Sequence, residues 1–422
     1  MWRHLTANFA DLLFSVSAAM DQADAALVDH QMRTAYVCAE LARAAGLDFE
    51  QTERLVIAAL LHDIGALSPE AKSSIHSGQE CRLEPHCQRG GQLFREAAWL
   101  APAAVIVDWH HTPMEQHREA GRGLTAFDVL GAQMLCLADH LEVAVRRDTF
   151  ILHQVGTLRA GIRQFSGSLF HADVVALFDQ VSGNDHFWLE LVARDLGQQL
   201  RKRNLLRSVS LDYAAVRELA GVFKDMTDFR AAFTVTHSAG VAACAQGIGA
   251  ALGLAEQELQ QLELAGLLHD IGKLAVPNAI FCKAAPLTPE EFAVIRRHAY
   301  CSQHILARVR GFEKIARWAG QHHERPDGSG YCRGTGQGNL DLGSRVLAVA
   351  DAAIAMAERR PYRAAHDAAT VRRELAALAG KGWLDATVVA ALADNHAAIA
   401  ARVAAAQTAD AARYRKHYAM IS

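Results

Sequence analysis

One short pattern occurs twice, and the residues around it recur at fixed distances. Leu60-Leu61-His62-Asp63-Ile64-Gly65 is matched by Leu267-Leu268-His269-Asp270-Ile271-Gly272. His30 precedes His62 by 32 residues, and His237 precedes His269 by 32. His86 precedes the pair His110-His111 by 24, and His298 precedes His322-His323 by 24. His111 precedes Asp139 by 28, and His323 precedes Asp351 by 28. Only the interval after the His-Asp pair differs, 24 in the first set and 29 in the second. Three equal intervals joining equal residue types point to a tandem duplication, so each copy must fold into the same supersecondary unit.

With 422 residues the chain exceeds one ordinary core, which fits two domains. We place the boundary near residue 206, giving domains 1–205 and 206–422. The net charge of −3 gives no electrostatic case for duplex nucleic acid, although a local basic pocket for a small anion stays open. Proline is scarce, at 9, and few runs alternate as strands do, so the expected class is all-α, tandem helical bundles. Eight cysteines without a CxxC pair read as reduced thiols in a cytoplasmic protein. The apolar stretch Leu12-Leu13-Phe14-Ser15-Val16 is faintly signal-like. It aligns, however, with the segment before His237 and reads as the first helix of a domain. No stretch has 18 uninterrupted apolar residues, and no membrane span is expected.

Helices are expected over 28–45 and 233–252, carrying the first histidine of each set. Amphipathic helices over 50–61 and 256–268 run into the His-Asp pairs. Gly65 and Gly272 are expected to turn the chain out of those helices. Thr288 caps a helix that Pro289 opens and that carries His298. A helix over 342–359 carries Asp351 and stops at Pro361. Arg201-Lys202-Arg203 is expected on an exposed helix. The tail, 364–422, reads as further helices on the second repeat, with Arg413-Tyr414-Arg415-Lys416 as a solvated face.

The second repeat offers five imidazoles and two carboxylates: His237, His269, Asp270, His298, His322, His323 and Asp351. One catalytic ion takes about three protein ligands and keeps a position open, so seven donors suit two ions. Asp270, in the middle of the set, is the natural bridge. Mixed imidazole and carboxylate donors favour iron, manganese, nickel or zinc over magnesium or calcium. Two such ions about 3.5–4 Å apart can activate a hydroxide and stabilise both oxygens of an in-line displacement at phosphorus. Lys273 follows the His-Asp pair by one turn and suits the non-bridging phosphate oxygens. Asp270 and Lys273 are therefore the candidate catalytic residues.

His269-Asp270-Ile271-Gly272-Lys273, Val276-Pro277, His322-His323-Glu324, Asp327-Gly328-Ser329-Gly330-Tyr331 and Arg360-Pro361-Tyr362-Arg363 stand in one order. Over residues 210 to 400 this series resembles the HD-GYP family of HD metal-dependent phosphohydrolases. The resemblance implies hydrolysis of a cyclic dinucleotide, usually cyclic di-GMP, to linear pGpG and for some members on to GMP. A relative of the same class would prefer 3′,3′-cyclic GMP-AMP. By that similarity His237, His269 and Asp351 would hold one metal, and His298, His322 and His323 the other, with Asp270 bridging. Iron or manganese would be the expected pair, with nickel or zinc as alternatives. Phe233 stands where some members carry a Glu that recruits a third metal, so a two-metal site is expected. Cys332 replaces the Pro of Gly-Tyr-Pro, which frees a φ angle and should loosen the loop.

Lys273, Asp327, Gly328, Gly330, Tyr331 and Arg363 are the candidate substrate contacts. Gly328, Gly330 and Gly334 permit positive φ and close approach of a ligand. Tyr331 either stacks on a purine or pins the loop to the core. Arg363 either forks onto a phosphate or a guanine edge, or flanks a helix in solvent.

The first repeat keeps His30, His62, Asp63, His86, His110, His111 and Asp139, a second candidate metal site. Ala66 stands where Lys273 does, and Thr112-Pro113-Met114-Glu115-Gln116 replaces the Gly-rich loop. It resembles a divergent HD domain that binds metal in a scaffold or regulatory role. The reading from another class is a signalling module that binds metal or nucleotide without turnover. Oligomeric state is left open, a homodimer included.

Overall fold

The computed structural model describes residues 5–21, 28–66, 84–120, 124–360 and 363–418. Pro361 and Tyr362 lie outside the described residues. The chain is helical nearly throughout. The one sheet among the described residues pairs Ala7–Asn8 antiparallel with Ser210–Leu211. Packing assigns residues 16–66 and 84–209 to one unit, and 5–15 with 210–418 to the other. The N-terminal strand and the first part of helix Phe9–Met20 thus belong with the C-terminal repeat, which the alignment of repeats does not foresee.

In the N-terminal unit, helices His30–Ala45, Phe49–Leu61, Glu84–Arg95, Ala104–Trp109 and Ala126–Ala144 carry the repeated residues. Asp48 starts Phe49–Leu61 by accepting from Gln51 N, and the Gln51 side chain returns a bond to Asp48 N. That exchange satisfies two of the open N–H groups at a helix start. Leu55, Leu60 and Leu61 are fully buried, each contributing about 1.5–3 kcal/mol over exposure. The downstream helices Ala172–Val181 and Asp185–Leu191 supply Phe178, Phe187 and Trp188 to the same core. Arg203 does not stand in solvent as expected. It pairs with Glu40 at 2.6 Å, and its guanidinium lies over the Tyr36 ring.

In the C-terminal unit the corresponding helices are His237–Ala251, Glu256–Leu268, Pro289–Leu306, Glu313–Gln321 and Leu342–Ala357. Thr288 accepts from Glu291 N, and Pro289 opens the helix as expected. The tail forms Ala368–Gly380, Ala386–Asp394 and His396–Tyr418. The last of these lies so close to His237–Ala251 that a Cβ at Gly247 would meet the Ile399 side chain at 2.9 Å. Only half of the basic run at its end is a solvated face: Arg415 and Lys416 are exposed. Arg413 pairs with the fully buried Asp225, and Tyr414 packs edge-on to Phe229. Lys224, 2% exposed, pairs with both Asp225 and Asp410, which ties this helix to Tyr213–Asp228. No single helix among the described residues is long and apolar enough to cross a membrane.

Gly65 and Gly272 have a different purpose from the one expected. Neither adopts a positive φ. A Cβ at Gly272 would lie 2.1 Å from His298 O, and one at Gly65 would lie 2.0 Å from His86 O. Each glycine therefore lets the His-Asp turn touch the helix that carries the next histidine.

Candidate metal centre

In the C-terminal unit four helices converge, three of them through an end and one through its middle. His269 follows Glu256–Leu268, His322 follows Glu313–Gln321, His298 lies within Pro289–Leu306, and His237 opens His237–Ala251. Three of these imidazoles are set by their own helix. Nδ1 of His269 bonds Gly266 O at 2.8 Å, that of His298 bonds Ile295 O at 2.6 Å, and that of His322 bonds Ala319 O at 2.6 Å. His237 Nδ1 instead bonds Glu358 Oε2 at 2.9 Å. With the proton assigned to Nδ1 from these partners, each Nε2 presents a lone pair to the centre.

Those lone pairs face one another and the two carboxylates. The donor atoms of His237, His269 and Asp351 lie within 4.8 Å of one another, as do those of His298, His322 and His323. Asp270 stands between the sets. Its Oδ1 is 3.4 Å from His298 Nε2 and 3.9 Å from His322 Nε2. Its Oδ2 is 3.3 Å from His269 Nε2 and 3.8 Å from His237 Nε2. Asp351 is 3.3 Å from His237 Nε2 through Oδ1 and 3.9 Å from His323 Nδ1 through Oδ2.

The arrangement fits cations. His298 Nε2 and His322 Nε2 approach to 3.1 Å, although each ring already donates through Nδ1. His269 Nε2 and Asp270 Oδ1 are buried without a hydrogen-bond partner. Unpaired polar atoms cost about 1–3 kcal/mol each when buried, so a cluster of them is explained by what it binds. Burial keeps the second histidine set neutral, holding His298 down to about 3 and His323 down to about 4. Burial opposes charge on His237 as well, but Glu358 and Asp351 outweigh it and raise the group to about 9. Asp270 is buried too, yet the neighbouring His269 and Lys273 hold its carboxyl well below the usual range. The neutral imidazoles of the second set and the ionised carboxylates are in the protonation states that metal ligands require, and an ion at the first set would displace the proton that Glu358 and Asp351 hold on His237.

The expected substrate contacts divide. Lys273 Nζ pairs with Asp270 Oδ2, so its charge is applied first to the central carboxylate. It also borders a cleft of about 480 Å³ with Phe233, Phe281, Lys283, Phe292 and Arg360. Tyr331 lies 4.8 Å from the His323 ring, donates its backbone N–H to His323 O, and carries the Arg296 guanidinium on its face. It pins the loop against the centre. Gly328 has φ +80 and Gly334 φ +67. Gly330 does not, and is needed because a Cβ there would lie 2.5 Å from Glu324 Cα. Asp327 spends its carboxylate on Ser329 N, closing a turn in the loop. Arg363 faces neither solvent nor the cleft. Its Nη2 bonds Ala355 O and Met356 O, capping the end of Leu342–Ala357.

Several contributors escaped the sequence. Glu324, 2% exposed, accepts from Arg333 N and Thr335 N and so holds the Gly-rich loop. Arg360 reaches Glu358 at 3.2 Å and borders the cleft. Asp228 accepts from Ser238 N, and Asp21 accepts from Gln31 N. Both carboxylates stand nine residues before the first histidine of their set, a signal the spacing contained.

In the N-terminal unit the seven repeated residues also converge. His30 Nε2 lies 3.3 Å from His62 Nε2, 3.4 Å from Asp139 Oδ1 and 3.7 Å from Asp63 Oδ2. His62 Nδ1 bonds Ala59 O at 3.0 Å, and His110 Nδ1 bonds Val107 O at 2.6 Å. Glu142 takes His30 Nδ1 at 2.6 Å. His111 Nε2 stands 3.7 Å from Asp139 Oδ2, and His86, His110 and His111 form a neighbouring group.

Fold and site together define an all-helical protein with two histidine–carboxylate centres, one per repeat. HD-domain sequence profiles match residues 27–144 and 221–388. The chain therefore belongs to the HD-domain family, carries the domain twice, and has its C-terminal copy of the HD-GYP type. It is 29% identical to 3′3′-cGAMP-specific phosphodiesterase 1 of Vibrio cholerae over 84% of each chain. It is 34% identical to a cyclic di-GMP phosphodiesterase of Thermotoga maritima over 39% of this chain and 45% of that one. The crystal structure of a cyclic GMP-AMP-specific phosphodiesterase of V. cholerae shares the fold. It has TM-score 0.63 and 23% identity, covering 92% of this chain and 98% of that one.

Proposed function

We propose that the C-terminal unit hydrolyses a 3′,5′-phosphodiester bond of a cyclic dinucleotide. The observation that carries this reading is Asp270, whose two carboxylate oxygens face the two imidazole sets separately. Two divalent ions, manganese or iron first, would be held by His237, His269 and Asp351 and by His298, His322 and His323, with Asp270 shared. When bound they would supply Lewis-acid activation of water and of the phosphodiester. Lys273, Lys283 and Arg360 border the adjoining cleft, each paired with a carboxylate, and would turn to the two phosphates of such a ligand. Phe233, Phe281 and Phe292 give it flat apolar walls on which a base can lie. Glu358 orients His237, and Glu324 and Tyr331 hold the loop over His323. The N-terminal unit serves as a metal-holding scaffold or regulatory partner. It has no lysine at Ala66 to pair with Asp63.

Cyclic di-GMP, giving linear pGpG, is the first substrate of this reading. A second, 3′,3′-cyclic GMP-AMP, draws support from the comparisons. The relatives matched over 84% and 67% of this chain are both named 3′3′-cGAMP-specific, whereas the cyclic di-GMP enzymes match over 39% or less. The test is incubation of the metal-loaded full-length protein with each dinucleotide, with linear products resolved by chromatography. Comparison of the two rates decides between the substrates. Tight binding of both without product would leave a binding module in place of an enzyme.

A further inference from the structure

The first repeat contains donors that the second lacks. Cys87 follows His86 where Ala299 follows His298, and His140 follows Asp139 where Ala352 follows Asp351. Cys87 is 2% exposed, and its Sγ lies 3.6 Å from His86 Nε2. The donor atoms of His86, Cys87, His110 and His111 all lie within 4.8 Å of one another. His110 Nε2 and both ring nitrogens of His111 are buried without a hydrogen-bond partner. Val107 O occupies His110 Nδ1, so the His110 lone pair points into the cluster. Three imidazoles and a thiol make four nitrogen and sulfur donors, the number and the atom types that zinc takes in a closed tetrahedral shell. Sulfur also draws softer ions than a purely nitrogen and oxygen set does.

We propose that the N-terminal unit holds one thiophilic divalent ion, zinc above all, in a closed His86–Cys87–His110–His111 shell. The two units of a single chain then carry chemically different metal centres. Four protein ligands leave no position for a substrate, so this ion is structural. It would tie helix Glu84–Arg95 to the turn that follows Ala104–Trp109. Binding replaces the Cys87 S–H bond with a sulfur–metal bond and releases one proton to solvent. Nothing here depends on phosphodiester hydrolysis, and turnover is not read in the test.

The experiment is cobalt titration of the metal-stripped full-length protein, followed by absorption in the near ultraviolet. Thiolate-to-cobalt charge transfer absorbs there, whereas imidazole and carboxylate ligation does not. The expected band reaches the intensity of one cobalt–thiolate centre per chain at saturation and is displaced by zinc. It disappears in Cys87→Ala and persists in Asp270→Asn. It also persists in Cys136→Ala, which removes a second thiol near His140. Absence of the band from cobalt-loaded wild-type protein overturns the proposal without recourse to a variant. A band that survives Cys87→Ala overturns it equally.

Discussion

In the second repeat Asp270 directs Oδ1 toward His298 and His322, while Oδ2 faces His269 and pairs with Lys273. In the first repeat Asp63 Oδ2 accepts from the Gln31 side-chain amide at 3.0 Å, and Ala66 stands where the lysine would be. The imidazoles around the two carboxylates are placed alike. His62 and His269 both bond the carbonyl three residues back, as do His110 and His322. Local helix geometry therefore sets the same ring orientations in both copies. What separates the copies is the partner given to the central carboxylate, a cation in one and a neutral amide in the other.

The comparison breaks most completely if metal is irrelevant. Chelation should abolish cyclic-dinucleotide turnover, and manganese or ferrous iron should restore it, followed by product chromatography. Next in size is the exchange of central carboxylates. Asp270→Asn should lower kcat by roughly 10²–10³-fold, the scale of losing one group that stabilises transition-state charge. Asp63→Asn should leave kcat near wild type in a folded protein. A comparable loss from both would mean that the first centre is no bystander. The carboxylates behind the ligands provide a finer probe. Glu358→Gln should weaken metal binding in the C-terminal unit by about 10–100-fold, and Glu142→Gln, behind His30 in the other unit, should leave that binding unchanged, read by competition with a chelating dye. Smallest are the paired glycines. Gly65→Ala and Gly272→Ala should each cost about 1–3 kcal/mol in denaturant unfolding, since each new Cβ meets a carbonyl. Unequal costs would show that the two crossings are not equivalent.

The equal intervals made the donor set legible. His237, His269, Asp270, His298, His322, His323 and Asp351 come together, and so do their seven counterparts. The helices that carry them also start and stop near the expected places, because capping residues and apolar periodicity are local signals. The partners of those helices were not legible. Glu358 and Glu142 do the same work for His237 and His30, yet they stand seven residues after Asp351 and three after Asp139. No fixed spacing could have linked them. Arg363 read as a substrate contact or a solvated flank, and Arg413 as part of a solvated face, because a basic side chain carries no mark of the distant carbonyl or carboxylate it meets. The reason for Gly65 and Gly272 was equally hidden, since the carbonyl each must admit comes from another helix.

The sequence by itself determined the duplication, the helical class and which histidines and aspartates come together, all of which follow from spacing and residue type along one dimension. The tertiary structure alone decided how the donors are shared. It faces Asp270 toward two imidazole sets, gives Lys273 to that carboxylate, and brings Cys87 beside His86, His110 and His111. Such assignments depend on distances of 3 to 5 Å between side chains far apart in the chain, which only packing sets.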